Sequence, residues 1–67
     1  MVERIAVILS RLYKAEFIDA LNVHSYRLHA LKGARKGIWS ITVRANWRIT
    51  FRFKEGHVHD VNFEDYH

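Results

Sequence analysis

Cysteine and proline are both absent from this 67-residue chain, and glycine occurs three times. Without cysteine there is no disulfide framework and no thiolate zinc site, so a small core must hold the fold without those supports. A reducing cytoplasm fits that composition. Long apolar runs are missing too: the longest, Ile5 to Leu9, falls far short of the roughly 18 to 20 residues that cross a bilayer. No small-residue cleavage site follows it, and the expectation is a soluble chain with no membrane partner. At this length one domain forms, burying only about 60% of the surface its unfolded chain exposes. Hydrophobic residues make up 49% of the chain and two Trp, three Tyr and four Phe are among them, which argues against disorder.

Negative charge is also missing from the middle of the chain. No Asp or Glu occurs between Ala20 and Lys54, whereas that interval holds Arg27, Lys32, Arg35, Lys36, Arg44, Arg48, Arg52 and Lys54, eight of the eleven cations. The formal net charge is +4. A field of one sign favours a polyanionic partner, and its plain alternative is a basic surface that serves solubility.

Hydrophobic spacing organises what is present. Val2 to about Ala15 predicts a helix, since Ile5, Ile8, Leu9 and Leu12 recur at i, i+3, i+4, i+7, Glu3 suits the first turn, and neither Gly nor Pro interrupts. Glu16 to Ser25 loses periodicity and reads as a connection in which Phe17, Ile18 and Leu21 can pack as a short turn. Tyr26 to Leu31 predicts a first strand, and Lys32 to Lys36 a basic loop bracketed by Gly33 and Gly37.

Period-two alternation then places Trp39, Ile41 and Val43 on one face of a strand, and Trp47, Ile49, Phe51 and Phe53 on one face of the next. Arg48, Thr50 and Arg52 fall on the opposite face. Ala45-Asn46 and Glu55-Gly56 supply the turns, and a last strand runs from His57 to about Phe63. The fold class is α+β: an amphipathic N-terminal helix packed on a mostly antiparallel four-stranded sheet. One domain spans residues 1–67.

His57 and His59 share a strand face, but two imidazoles without a third donor make a poor metal site, so no metal and no cofactor is assigned. His29, Lys32, Arg48, Tyr66 and His67 form a more informative set. RNA cleavage without a metal needs a near-neutral group to take the ribose 2′-hydroxyl proton and a second to protonate the departing 5′-oxygen. It also needs fixed cations for the phosphorane. Tyrosine can stack on a base. Each residue has a plainer reading: Tyr66 as packing, His67 as a chain end, His29 as a surface histidine, Arg48 as the ion-pair partner of an acid on a neighbouring strand.

Several blocks occur in order with matching spacing. They are Tyr26-Arg27-Leu28-His29-Ala30-Leu31-Lys32-Gly33, Arg35-Lys36-Gly37-Ile38-Trp39-Ser40-Ile41, Val43-Arg44-Ala45-Asn46-Trp47-Arg48-Ile49-Thr50-Phe51 and Phe63-Glu64-Asp65-Tyr66-His67. Together they resemble the HigB branch of the RelE-like toxin superfamily. That resemblance implies a ribosome-dependent endoribonuclease that cuts mRNA in the A site without a metal, neutralised by a HigA-like helix-turn-helix antitoxin. It puts catalysis on His29, Lys32, Arg48, Tyr66 and His67, with Lys32 and Arg48 as phosphate clamps, the two histidines as acid and base, and Tyr66 stacking or orienting. Arg27, Arg35, Lys36, Arg44 and Arg52 become RNA contacts, made through phosphate and therefore salt-sensitive.

Family members typically begin with a further strand and helix, and Met1 stands where their second helix starts. An unpaired sheet edge and a bared apolar patch are the expected consequence, compensated by a homodimer or by the antitoxin. The competing expectation is a catalytically inactive relative that acts as an RNA- or antitoxin-binding module. Sequence-specific DNA binding fares poorly, because one helix with an apolar face makes no helix-turn-helix and zinc ligands are lacking.

Overall fold

The computed structural model describes residues 1–65. Val2–Lys14 form helix α1. The expected apolar stripe is the one that packs: Ile8 and Leu12 are fully buried, and Ile5 and Leu9 lie partly buried against the same core. Glu3 in the first turn, and Arg11 and Lys14 in the last, oppose the charges of the helix dipole. At Ala15 the backbone turns extended, with its N–H still donating to the Arg11 carbonyl, and the helix ends. Arg4 ties this helix to the rest of the fold. Its Nε donates to the Val43 carbonyl, its Nη2 donates to the Ser25 carbonyl over 3.1 Å, and its guanidinium lies 5.7 Å from the centroid of the Tyr26 ring.

The connection contains two short 3-10 turns, Ile18–Leu21 and His24–Tyr26, which carry Leu21 and Tyr26 into the core. Phe17 does not pack as expected but points outward, 71% exposed. The predicted first strand is also shorter than alternation suggested. Tyr26 ends a 3-10 turn, Arg27 adopts the left-handed region at φ 49°, and only His29–Ala30 pair as strand β1. A left-handed residue turns the chain out of the extended line that a strand requires.

Strands β2 (Trp39–Arg44), β3 (Trp47–Lys54) and β4 (His57–Asp65) complete a four-stranded antiparallel sheet in the order β1-β2-β3-β4. Glu55 and Gly56 both take positive φ between paired Lys54 and His57, the geometry of a two-residue hairpin whose twist matches its strands. Register shifts between Thr50 and Arg52, where Phe51 faces both Asp60 and Val61 of β4, and Asp60 accommodates the extra residue at φ 53°.

Ile41, Val43, Ile49 and Phe51 are buried on the face that receives α1. Trp39, Trp47 and Phe53 border that core, as the alternation predicts. Among the described residues no helix is long and apolar enough to cross a membrane.

Candidate active site on the polar face of the sheet

Register decides which polar side chains meet. His29, Ser40, Thr50 and Asn62 form one row across the four strands, and Thr42, Arg48 and Glu64 form the next. Paired residues point to the same side of a sheet, as do rows two residues apart, so both rows face away from α1. Ser40 and Thr50 are nevertheless only 1% exposed. The basic loop folds toward the same face: it turns through Gly33–Arg35, sends Arg35 to Glu64, and brings Gly37 so near Arg52 that an added Cβ would stand 2.9 Å from Nη1.

Glu64 is the centre of the polar cluster. Its Oε1 accepts hydrogen bonds from Arg35 Nη1 at 2.8 Å and from Arg48 Nε and Nη2 at 3.0 and 2.7 Å, while Oε2 accepts from Arg35 Nη2 at 3.0 Å. The Arg48 side chain is 13% exposed. Arg35, with Arg48 behind it, holds the Glu64 carboxyl down at about 2 against the opposing effect of burial. The same hydrogen bond raises Arg35. Two guanidiniums around one carboxylate leave the cluster cationic, so it still attracts an anion.

His29 lies on the same face, exposed, two strands and one row from Arg48 and therefore about 12 Å away across the sheet. Its Nδ1 is 3.1 Å from the Arg27 carbonyl. A carbonyl only accepts, so Nδ1 carries the proton, and in the neutral ring Nε2 is the nitrogen left to exchange one. Arg27 thus sets the aim of His29 through its backbone.

Lys32 is exposed at the entry to the 3-10 turn, three residues before Arg35. Lys36 and Arg44 are exposed at the loop and at the end of β2. Arg52 lies 3.5 Å from Asp60, which also sits 3.3 Å from His59 Nδ1. Tyr66 and His67, expected in the catalytic set, lie outside the described residues. Among the described residues no cluster of three His, Asp or Glu able to hold a metal ion occurs.

Two features of the site escaped the sequence reading. Glu64 appeared there only inside a resembling block, although it faces Arg48 directly in the β3–β4 register. The ion pair weighed above as the plainer reading of Arg48 is present. Arg35, expected as an RNA contact, directs both Nη atoms to the same carboxylate. The second missed feature is a hydrogen bond from Asn46 Nδ2 in the β2–β3 turn to Asp65 near the end of β4.

Fold and site together define a class: a small helix-on-sheet domain whose polar sheet face carries an exposed histidine and two arginines paired with a single carboxylate. Residues 1–67 match the family described as the RelE-like toxin of the type II toxin-antitoxin system HigB. The chain belongs to that family. It is also 54% identical over 66 residues to a protein of Proteus vulgaris named Endoribonuclease HigB, an alignment that takes in 98% of this chain and 72% of that one.

Proposed function

We propose that this chain is an endoribonuclease toxin that cuts mRNA in the ribosomal A site without a metal, in the cytoplasm, and is held in check by a HigA-like helix-turn-helix antitoxin. The observation that carries the reading is the 54% identity, over nearly the whole chain, to a protein named as an endoribonuclease. The shared sheet face of His29 and Arg48 supports it.

In the proposed reaction the ribose 2′-oxygen attacks the adjacent phosphorus and the bond to the 5′-oxygen breaks. The products are a 2′,3′-cyclic phosphate and a 5′-hydroxyl. One histidine of the pair His29 and His67 takes the 2′-hydroxyl proton and the other protonates the leaving oxygen; His29 exchanges its proton through Nε2. Lys32 and Arg48 stabilise the charge that develops on the phosphorane, and Tyr66 stacks on or orients the nucleotide. Arg27, Lys36, Arg44 and Arg52 contact RNA phosphates, with Arg35 doing so at the edge of its pair with Glu64. A homodimer is the proposed cover for apolar surface such as the exposed side chains Val7, Tyr13 and Phe17 of α1 and its exit.

One observation favours a second reading, an RNA- or antitoxin-binding module without catalysis: Glu64 already engages both Arg35 and Arg48. End-group chemistry separates the two. After the cut is mapped on an mRNA held by purified ribosomes, the 2′-hydroxyl of the nucleotide before it is replaced by hydrogen. The toxin reading expects cyclic-phosphate and 5′-hydroxyl ends on the normal message and no cut on the substituted one. Ends bearing 3′-hydroxyl and 5′-phosphate overturn 2′-oxygen attack, and an intact normal message favours the binding module.

A further inference from the structure

Glu64 has no assigned part in the proposed reaction, yet it joins two elements that carry that reaction's cations. Arg48 belongs to β3, and Arg35 closes the 3-10 turn that Lys32 opens, 29 residues before Glu64 in the chain. Both guanidiniums meet the same Oε1, and the Arg35 contact is bidentate, the geometry that restrains orientation as well as distance. A single 3-10 turn separates Arg35 from Lys32, with Lys36 N–H donating to the Gly33 carbonyl at 3.1 Å. Fixing Arg35 therefore fixes the backbone from which the Lys32 side chain projects.

We propose that Glu64 is a positioning residue: it locks the Lys32–Arg35 turn onto β3 so that Arg48 and Lys32 meet a scissile phosphate at a set spacing. The inference deepens the endoribonuclease reading and rests on it. The carboxylate makes no contact with RNA in this account, because its oxygens are taken by the two arginines. Its negative charge instead weakens phosphate attraction slightly while holding the cations in place. Position and attraction consequently change in opposite directions when the charge is removed.

The test uses single-turnover cleavage of an mRNA on purified ribosomes at increasing toxin concentration, which yields a maximal rate and a half-saturating concentration. Native chain, E64Q, R35A and the R35A/E64Q pair are compared, each checked for folding by circular dichroism. A positioning role predicts that E64Q lowers the maximal rate at least 10-fold while half-saturation stays equal or moves to lower concentration. It also predicts that the double variant is no slower than E64Q, because both changes break one tie. A fold-only role predicts instead a smaller active fraction with the surviving molecules cutting at the native rate. If E64Q is folded and cuts within twofold of the native rate, or if the losses of the two single variants multiply in the double, the inference is overturned. Should E64Q not fold, the maximal rate of R35A decides, since the Arg48–Glu64 pair remains in it: a loss of at least 10-fold supports the positioning role and a folded R35A within twofold of the native rate overturns it, while its half-saturation rises because a cation is lost. If the native chain itself makes no cut, the endoribonuclease reading fails, and the positioning role fails with it.

Discussion

Trp47 and Phe63 stack face to face, their ring centroids 4.8 Å apart and their planes 6° from parallel. They are diagonal neighbours on β3 and β4, since Phe63 pairs directly with Ile49, and they extend the apolar face past the reach of the fully buried core. Phe63 is 44% exposed, so its weight comes from the ring contact more than from burial. Phe63→Ala is expected to lower stability by about 1–2 kcal/mol, an aromatic pair being worth about 0.5–1.5 kcal/mol beyond its area. Urea unfolding followed by tryptophan fluorescence in a Trp39→Phe background checks it, and an unchanged midpoint would show the stack to be incidental.

Gly37 predicts a backbone effect. Its φ of +94° is a conformation that side-chain-bearing residues rarely adopt, and the nearest atom to an added Cβ is the mobile end of Arg52. The guanidinium can move aside, whereas the backbone cannot relax without shifting the loop. Gly37→Ala is expected to cost about 1–3 kcal/mol. Thermal unfolding measures that cost, and Arg52→Ala in the same background should recover little of it. Full recovery would locate the strain in the side-chain contact instead.

Acid sensitivity follows from Glu64. Its folded carboxyl titrates at about 2, chiefly because of Arg35, whereas an unfolded glutamate titrates near 4.3. The unfolded chain binds the proton first on acidification, so the stabilisation is complete above about pH 4.3 and is lost as pH falls through about 2. Carboxyl shifts followed by NMR across pH 1.5 to 6 should place the Glu64 midpoint well below the ordinary glutamate value. In Arg35→Ala that midpoint should rise, and the fall in stability across the same window should flatten. A Glu64 midpoint in the ordinary range would remove the cluster's electrostatic basis.

RNA binding by the exposed cations predicts a salt dependence. Lys36→Ala and Arg44→Ala should each weaken binding to ribosome-bound mRNA with little change in sequence preference, and each should reduce the slope of log affinity against log salt by about one counterion. Filter binding at several salt concentrations measures the slope. An unchanged slope in both variants would place the RNA on another surface.

Much of this architecture was legible from spacing. The stripe of Ile5, Ile8, Leu9 and Leu12 anticipated the buried face of α1, and the alternation from Trp39 to Phe53 anticipated both faces of β2 and β3. Where the backbone leaves regular periodicity, spacing has nothing to report. The 3-10 turns are too short to repeat a pattern, and a left-handed Arg27 carries no mark that separates it from an arginine in a strand. On the site, alternation put Arg48 on the polar face but left its neighbour unknown. Glu64 faces it only once the shift at Asp60 fixes register, and Arg35 reaches Glu64 only once the turn Gly33–Arg35 has folded toward β4. Such contacts depend on tertiary placement that local pattern does not encode.

The most direct test of the account is primer extension on an mRNA translated in a purified system, comparing the native chain with Arg48→Ala. Removal of one stabiliser of transition-state charge should cost about 10²- to 10³-fold in cleavage rate. The account predicts discrete cuts within the codon on the ribosome for the native chain and their near disappearance for a folded Arg48→Ala. Equal cutting by both proteins, or silence from a folded native chain, would contradict it.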